Sequence, residues 1–291
     1  MKKKGNIVLV LLIICCFAAF YAYKTLDAVR TDNDAPAIYM DAKIPEISVK
    51  DPKSALMQGI SAEDRTDGDV TASLVVESIE LISNDGQIKV KYAAFDKAGN
   101  VAKVQREAKY TDYKSPKFSM AKPVFFQYGA DFDMLKIMSA EDVIDGDIQH
   151  RIRATMLDGG SIAELGIHTV RFQVTNSLGD ATTLEIPVEV YDPELYDAAL
   201  TLKTSLLYLD QGSSFSPEAY LDTYTYRGTE TNLQRGLPEN FSLKTEGKVD
   251  TKTPGTYSVK LLVTYTLRNE ADPSRNQEYV AGSRLTVVVE G

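Results

Sequence analysis

The sequence predicts an all-β protein in which three tandem β-sandwiches follow a single N-terminal transmembrane helix. Three observations lead to this fold class: an apolar run near the N-terminus, segments in which apolar and polar residues alternate, and an acidic decapeptide that occurs twice. A chain of 291 residues is long enough for two or three domains. The internal repeat is therefore expected to mark domain boundaries.

The first 24 residues predict a membrane anchor. Lysines at positions 2–4 precede an uncharged run from Ile7 to Tyr23, which as a helix would cross about 25 Å of hydrocarbon. Because the lysines lie before the run, the N-terminus is expected in the cytoplasm and everything after Lys24 outside the cell. A cleaved signal peptide, or a lipoprotein modified at Cys15 or Cys16, is the alternative.

Composition restricts the partners and the source. The formal net charge of -9 gives a surface that repels phosphate backbones, which argues against nucleic acid as a partner. Both cysteines lie in the apolar run, so the predicted exported part has no disulfide. Exported domains without cysteine, behind a lysine-rich anchor, are typical of bacterial surface proteins.

Strands dominate after a polar tether at residues 25–43. The segment QIKVKYAAFD alternates apolar residues with lysines, which is the period of two expected for a strand with one buried face. The same pattern recurs in HTVRFQVTN, TLEIPVEVY and TYSVKLLVTYTL. Pro187 in TLEIPVEVY predicts an edge strand, because proline has no N–H to donate. Short strands separated by Gly, Asn and Asp turns favour β-sandwiches.

Two acidic decapeptides mark equivalent points of two repeats. SAEDRTDGDV begins at Ser61 and SAEDVIDGDI at Ser139, and the later segments FDKAGN and TNSLGD also correspond. A third unit lacks the decapeptide but keeps a glycine before a long alternating strand. The predicted boundaries are 1–24 for the anchor, 25–43 for the tether, and 44–114, 115–193 and 194–291 for the three sandwiches.

The motif SAEDRTDGDVTASLVV, followed by YAAFDKAGN, resembles the bacterial immunoglobulin-like surface repeats related to hyalin repeats and cadherin-like modules. Those repeats share an acidic DGD turn and a late D-x-A-G-N turn. The second unit has NSLGD for the late turn, and the third lacks the acidic turn. The resemblance implies seven-stranded Ig-like sandwiches in series, in proteins that act as stalks, adhesins or carbohydrate-associated modules. It does not imply an enzyme.

Six aspartates in the acidic turns are candidate calcium ligands, because three carboxylates within six residues offer hard oxygen donors. They are Asp64, Asp67, Asp69, Asp142, Asp145 and Asp147. Alternatively, Gly68 and Gly146 provide turns with positive φ, and the carboxylates accept backbone hydrogen bonds. Neither segment has the complete spacing of a calcium loop, so the turn interpretation is preferred. Apart from calcium at these turns, no cofactor is predicted.

Tyrosines are the second candidate for binding. The chain has 16 tyrosines and no tryptophan, and the segment YLDTYTYRG concentrates Tyr220, Tyr224 and Tyr226. Such residues can stack on sugar rings or form protein contacts, or they can pack in the core. The sequence contains no G-x-S-x-G motif and no phosphate-binding glycine loop. His168 is expected to face solvent without catalytic partners, so no enzyme activity is predicted.

The combined prediction is a non-enzymatic, single-pass bacterial cell-surface protein. Its extracellular Ig-like domains would serve spacing, adhesion or the binding of a protein or carbohydrate, with the divergent third unit as the best candidate for contact. The alternative is an accessory subunit of a cell-envelope assembly or export complex. Such a subunit would bury one sandwich face against its partner.

Overall fold

The computed structural model describes residues 12–25, 32–131 and 133–291, and these residues are predominantly β-structure. They form two compact units that divide between Tyr113 and Lys114. The first unit contains one β-sandwich and the second contains two. The predicted all-β fold of tandem sandwiches is therefore confirmed.

Residues 12–25 form the helix α1, whose side chains are exposed. Within the described ranges, no helix combines the length and the apolar character that a membrane span requires. The prediction of a single-pass membrane protein with an N-terminal anchor is therefore wrong. The lysines at positions 2–4 and residues 7–11 of the predicted run lie outside the described residues.

The first sandwich consists of a three-stranded and a four-stranded sheet. Its strands are β1 (Ala37–Met40), β2 (Glu46–Ile47), β3 (Ile60–Asp64), β4 (Gly68–Asp69), β5 (Val75–Leu81), β6 (Gln87–Phe95) and β7 (Val101–Tyr110). The sheet orders are β1-β3-β4 and β2-β7-β6-β5. Strand β6 has the predicted alternation, since Ile88, Val90 and Tyr92 are fully buried. Strand β1 lies in the predicted tether, so the sandwich begins before residue 44.

The second and third sandwiches also have seven strands each in the part of the chain that the structure describes. Those of the second are β8 (Lys117–Met120), β9 (Phe125–Gln127), β10 (Met138–Asp142), β11 (Gly146–Asp147), β12 (Arg153–Met156), β13 (Gly166–Thr175) and β14 (Ala181–Tyr191). Those of the third are β15 (Ala199–Leu202), β16 (Leu206–Asp210), β17 (Leu221–Tyr226), β18 (Thr229–Asn232), β19 (Phe241–Glu246), β20 (Gly255–Leu267) and β21 (Gln277–Glu290).

All three sandwiches share one topology. In each, the first, third and fourth strands form one sheet, and the second, seventh, sixth and fifth strands form the other. The second strand of each sandwich pairs in parallel with the last: β2 with β7, β9 with β14, and β16 with β21. The third sandwich is therefore a structural repeat of the first two, although its sequence lacks the acidic turn.

The helical segments within the sandwiches are short. The helix α2 (Met134–Ile137) begins at Asp133, whose carboxylate accepts a hydrogen bond from the backbone N–H of Leu135. The 3-10 segments are Lys53–Met57, Thr71–Ser73, Gln149–Arg151, Pro193–Leu195, Pro217–Tyr220 and Pro273–Arg275. These segments connect strands and do not form a helical layer.

Strand β14 is not the predicted edge strand, because it lies between β13 and β9. Its pairing with β9 covers only Glu189 to Tyr191, whereas Pro187 pairs with β13 alone. The missing N–H of Pro187 therefore faces the side on which β14 has no partner at that residue. Pro187 itself thus lies at an unpaired position, as predicted, but the strand that contains it is not an edge strand.

The second and third sandwiches pack against each other inside the second unit. Leu206 on β16 belongs to the core of the second sandwich, and the Tyr208 ring packs on that core. The Tyr208 hydroxyl accepts a hydrogen bond of 3.2 Å from the backbone N–H of Phe118. Burial raises the pKa of Tyr208 to about 12. These contacts join the two sandwiches through their hydrophobic cores.

A buried ion cluster lies at the same junction. The Glu189 carboxylate on β14 accepts hydrogen bonds from Lys260 at 2.6 Å and from Arg284. Glu189 and Arg284 are each 7% exposed. Burial opposes the charged form of Lys260, but the hydrogen bond to Glu189 nevertheless raises its pKa above the ordinary value. The cluster fixes the relation of the second sandwich to the third.

We expect Glu189→Gln to reduce the unfolding free energy of the second unit by about 3–5 kcal/mol, because two buried cations would lose their counter-charge. Calorimetric melting of the full chain measures the change. The control is Glu185→Gln on the same strand, which breaks an exposed ion pair with Arg171 worth about 0–1 kcal/mol. Equal losses in the two variants would contradict a stabilising role for the cluster.

His168 on β13 is buried, contrary to the predicted solvent exposure. Its Nδ1 lies 3.1 Å from the Asp158 carboxylate, and its Nε2 lies 3.0 Å from the carbonyl oxygen of Glu164. Because both nitrogens face acceptors, the doubly protonated ring satisfies both contacts. The Glu164 carbonyl raises the pKa of His168 above its ordinary value, burial opposes this rise, and Asp158 adds to it.

The stability of the second unit should fall as the pH rises through the pKa of folded His168. Because the folded pKa is raised, this stabilisation is complete below the unfolded value of about 6.5 and is lost above the folded value. An NMR titration of the His168 ring measures the folded pKa, and Asp158→Asn should lower it. A titration that Asp158→Asn leaves unchanged would contradict this assignment.

Candidate metal centre

Three aspartates meet at one end of the first sandwich. Asp32 precedes β1, Asp64 ends β3, and Asp96 follows β6 in the opposite sheet. One carboxylate oxygen from each residue lies within 4.8 Å of the other two. The two sheets and the segment before β1 thus direct three anionic groups to one point.

Asp64 is 3% exposed and uses its two oxygens differently. Its Oδ1 accepts hydrogen bonds from the backbone N–H groups of Thr66 at 2.7 Å and Asp67 at 2.9 Å. These bonds form the turn, in which Gly68 has a φ of 75°. The Oδ2 of Asp64 is buried and has no hydrogen-bond partner among the residues that the structure describes. Leaving an ionised oxygen unpaired in the interior is costly.

The other two carboxylates differ in how well they are satisfied. Asp32 Oδ1 accepts a hydrogen bond of 3.1 Å from the N–H of Asp34, but its Oδ2 is buried without a partner in the described part of the chain. Both oxygens of Asp96 accept hydrogen bonds from Asn100, at 2.8 Å from the backbone and 2.7 Å from the side chain. Burial opposes the charged form, yet these bonds lower the pKa of Asp96. The site therefore holds an ionised Asp96 beside two incompletely paired carboxylates.

Asn100 also hydrogen-bonds to backbone carbonyl oxygens beside the three aspartates. Its Nδ2 donates to the carbonyl oxygens of Asp32 and Asp34, each at 3.1 Å. Carboxylate and carbonyl oxygens are the ligands that calcium prefers, at about 2.3–2.6 Å from the ion. Two ligands of one calcium ion are then at most about 5 Å apart. The separation of the three carboxylate oxygens satisfies that limit, so the residues fit a calcium ion.

The second sandwich closes the equivalent position without a cation. Asp142 Oδ1 accepts hydrogen bonds of 2.9 Å from the backbone N–H groups of Ile144 and Asp145. Its Oδ2 accepts a hydrogen bond of 3.0 Å from Nδ2 of Asn176, the residue that corresponds to Asp96. An amide thus takes the place of the second carboxylate. Both oxygens of Asp142 are paired within the protein.

The residue that corresponds to Asp32 in the second repeat is Asp112. Both precede a strand by the same number of residues, in the shared pattern T-D-x-x-x-P. Asp112 accepts hydrogen bonds from the Ser48 hydroxyl at 2.7 Å and the Val49 N–H at 2.8 Å. The Asp112 carboxylate is therefore hydrogen-bonded within the first unit.

Two further predicted ligands connect the acidic turns to the late turns. Asp67 accepts a hydrogen bond of 2.7 Å from the N–H of Lys97, which lowers the pKa of Asp67. Asp145 accepts one of 2.6 Å from the N–H of Ser177. In each sandwich this bond holds the loop after the sixth strand against the loop after the third strand. In the first sandwich these two loops carry Asp96 and Asp64 of the candidate metal centre.

The remaining predicted ligands, Asp69 and Asp147, each accept a hydrogen bond of 2.9 Å from the backbone N–H two residues later. Calcium binding by the six residues of the sequence prediction stays a prediction, and only Asp64 among them belongs to the three-aspartate cluster. Sequence reasoning missed Asp32 and Asp96. The repeated T-D-x-x-x-P pattern, and the exchange of Asp for Asn between FDKAGN and TNSLGD, were the signals available.

The three tyrosines of the sequence prediction separate in the structure. Tyr224 and Tyr226 line a cleft of about 300 Å³ in the third sandwich. Tyr220 is not among the residues that line it, and its ring stacks on Phe215 with centroids 5.9 Å apart. Only two of the three thus share a candidate binding surface.

No family model matches the chain. An uncharacterized 81.3 kDa protein of Acholeplasma phage L2 is 29% identical over 145 residues, which are 50% of this chain and 18% of the phage protein. The pesticidal crystal protein Cry22Aa of Bacillus thuringiensis is 27% identical over 135 residues, which are 46% of this chain and 17% of that protein. The similarity thus covers less than a fifth of either relative.

Two solved structures can also be compared. The CBM51-2 and INT domains of Clostridium perfringens ZmpB, solved in complex with GlcNAc, share 14% identity at a TM-score of 0.20, over 87% of this chain and 41% of that one. The EC3-6 cis-dimer of protocadherin gammaB7 shares 10% identity at a TM-score of 0.21, over 88% and 74%. At such TM-scores neither likeness supports an inference about this chain.

Proposed function

We propose that the first sandwich binds a calcium ion through Asp32, Asp64 and Asp96, and that the protein is a non-enzymatic adhesion or ligand-binding protein. One observation carries the calcium proposal: the buried Oδ2 of Asp64 has no hydrogen-bond partner among the described residues, and Asp64 belongs to a cluster whose three carboxylates approach within 4.8 Å. The matching residue of the second sandwich has a full set of partners.

A divalent cation fits this site better than a proton or a water molecule does. Three neighbouring carboxylates repel one another, and a bound proton is disfavoured at Asp96, whose pKa is lowered by Asn100. A water molecule could donate to the unpaired oxygens but would leave the negative charge uncompensated. Calcium supplies both the missing partner and the opposite charge.

The ion would also organise the segment before β1. Asp32 belongs to that segment, whereas Asp64 and Asp96 belong to opposite sheets of the sandwich. A shared ion would therefore hold the segment to both sheets. A non-enzymatic role is supported by the missing nucleophile and phosphate-loop motifs in the sequence. Tandem sandwiches, of which the second and third share a fixed junction, suit display and binding.

Calcium should stabilise the first unit. Extracellular modules bind calcium with a Kd of about 10⁻⁴–10⁻³ M, so about 10 mM calcium should add ~1–3 kcal/mol to the unfolding free energy. Calorimetry of the full chain measures this shift, with a chelator and with equimolar magnesium as comparisons. A melting profile that responds to neither calcium nor chelator would overturn the metal proposal.

The variant Asp96→Asn reproduces the side-chain pair of the second sandwich. We expect it to abolish the calcium shift, because one ligand is lost, while the calcium-free protein melts at a similar temperature. The reason is that an amide at this position can donate to Asp64, as Asn176 donates to Asp142, but loses one of the two hydrogen bonds that Asp96 accepts from Asn100. The control is Asp69→Asn, outside the cluster, which should keep the calcium shift. Loss of the shift in Asp69→Asn, or its survival in Asp96→Asn, would contradict the assigned ligands.

A further inference from the structure

The third sandwich replaces the acidic turn with a different structure at the same place in the topology. Tyr226 ends β17, as Asp64 ends the corresponding strand β3. Arg227, with a φ of 47°, and Gly228, with a φ of 78°, then form a two-residue turn into β18. This end of the sandwich therefore carries an aromatic residue where the first sandwich carries its buried carboxylate.

A cleft of about 300 Å³ opens beside Tyr226. It is lined by uncharged residues, which include Tyr224, Tyr226, Thr229, Thr231, Phe241 and Tyr265. The two threonines lie on β18 and Phe241 lies on β19, so the cleft opens between the edge strands of the two sheets. Its volume is at the lower limit of pockets that hold small ligands.

The aromatic walls of the cleft are fixed by their own packing. The rings of Tyr224 and Phe241 meet edge to face with centroids 5.1 Å apart, and Phe241 lies 5.0 Å from Tyr265. The Tyr224 hydroxyl donates to the carbonyl oxygen of Tyr279 at 2.8 Å. Burial raises the pKa of Tyr224 to about 12. The rings are therefore held in place before any ligand binds.

The polar groups of the cleft are less well satisfied. The Tyr226 hydroxyl is buried, and beside the Tyr279 side chain it makes no well-formed hydrogen bond to the described residues. Such a hydroxyl can still bond to a ligand atom. Thr229 and Thr231 add hydroxyls that both donate and accept. The cleft thus combines ring faces with hydroxyl groups and has no charged lining residue.

We propose that this cleft binds one ring of an uncharged saccharide. A sugar ring presents C–H groups that stack on aromatic faces, and hydroxyls that bond to threonine and tyrosine. The described lining offers no counter-charge to a charged ligand, because the Arg227 guanidinium, 5.2 Å from the centre of the Tyr226 ring, is not one of the lining residues. A purely apolar side chain of a partner protein would leave the polar groups of the cleft unpaired. The saccharide is the occupant that uses both kinds of group.

The test titrates the full chain with neutral oligosaccharides of glucose, galactose and N-acetylglucosamine, using calorimetry and tyrosine fluorescence. We expect at least one of them to bind at millimolar or lower concentration, in the presence of chelator as well as calcium. Chelator should not matter because the metal centre belongs to another sandwich. The proposal is overturned if none of the three series binds, or if free phenol binds and no sugar does.

Variants then locate the site. Tyr265→Leu should weaken binding about tenfold or more, because a stacking face is lost. Thr231→Val keeps the shape and removes one hydroxyl, so it should weaken binding with an unchanged melting temperature. The matched control is Thr225→Val on β17, outside the cleft-lining set, which should bind as the native protein does. Unchanged binding in both Tyr265→Leu and Thr231→Val would overturn the proposal.

Discussion

A carboxylate buried at the end of the third strand determines the chemistry of each of the first two sandwiches. One of its oxygens accepts two N–H groups of the following turn, and this bonding is the same for Asp64 and Asp142. In the second sandwich the other oxygen accepts a hydrogen bond from Asn176, and Asp96 is the corresponding residue of the first sandwich, within the three-aspartate cluster. Exchange of one carboxylate for one amide separates the proposed cation site from a closed hydrogen-bonded pair. The third sandwich has Tyr226 instead, and there the same end of the fold opens as an aromatic cleft.

The junction inside the second unit obeys a different constraint. A buried glutamate needs cationic partners, and Glu189 has two of them, Lys260 and Arg284, from the neighbouring sandwich. Buried ion pairs add little net stability compared with apolar packing, but a wrong arrangement that leaves one charge alone is costly. Gly282 lets the Tyr196 ring lie close to the backbone of β21, because a Cβ at Gly282 would be only 2.8 Å from that ring. The junction therefore selects one geometry for the two sandwiches.

Much of the fold could be predicted because one-sided burial leaves a period of two in the sequence. The inward residues of β13 and β14, for example Phe172 and Ile186, are buried as the alternation indicates. Strand β1 was missed because its four residues are too few to show a clear alternation of apolar and polar side chains. The candidate metal centre was only partly predicted, because Asp32, Asp64 and Asp96 are distant in the sequence and come together only in the folded sandwich. His168 was expected to face solvent, but the loop that carries Asp158 and Glu164 contacts both nitrogens of its ring, a contact that the alternation of β13 does not reveal.

The parallel pairing of the second and last strands gives each sandwich a direction of mechanical strength. When the two ends of a sandwich are pulled apart along these strands, the ladder between them is loaded in shear, and its hydrogen bonds share the force. The ladder pairs two residues in the first sandwich, three in the second and five in the third. A chain under tension would therefore extend first at β2 and β7, whereas β16 and β21 would hold longest.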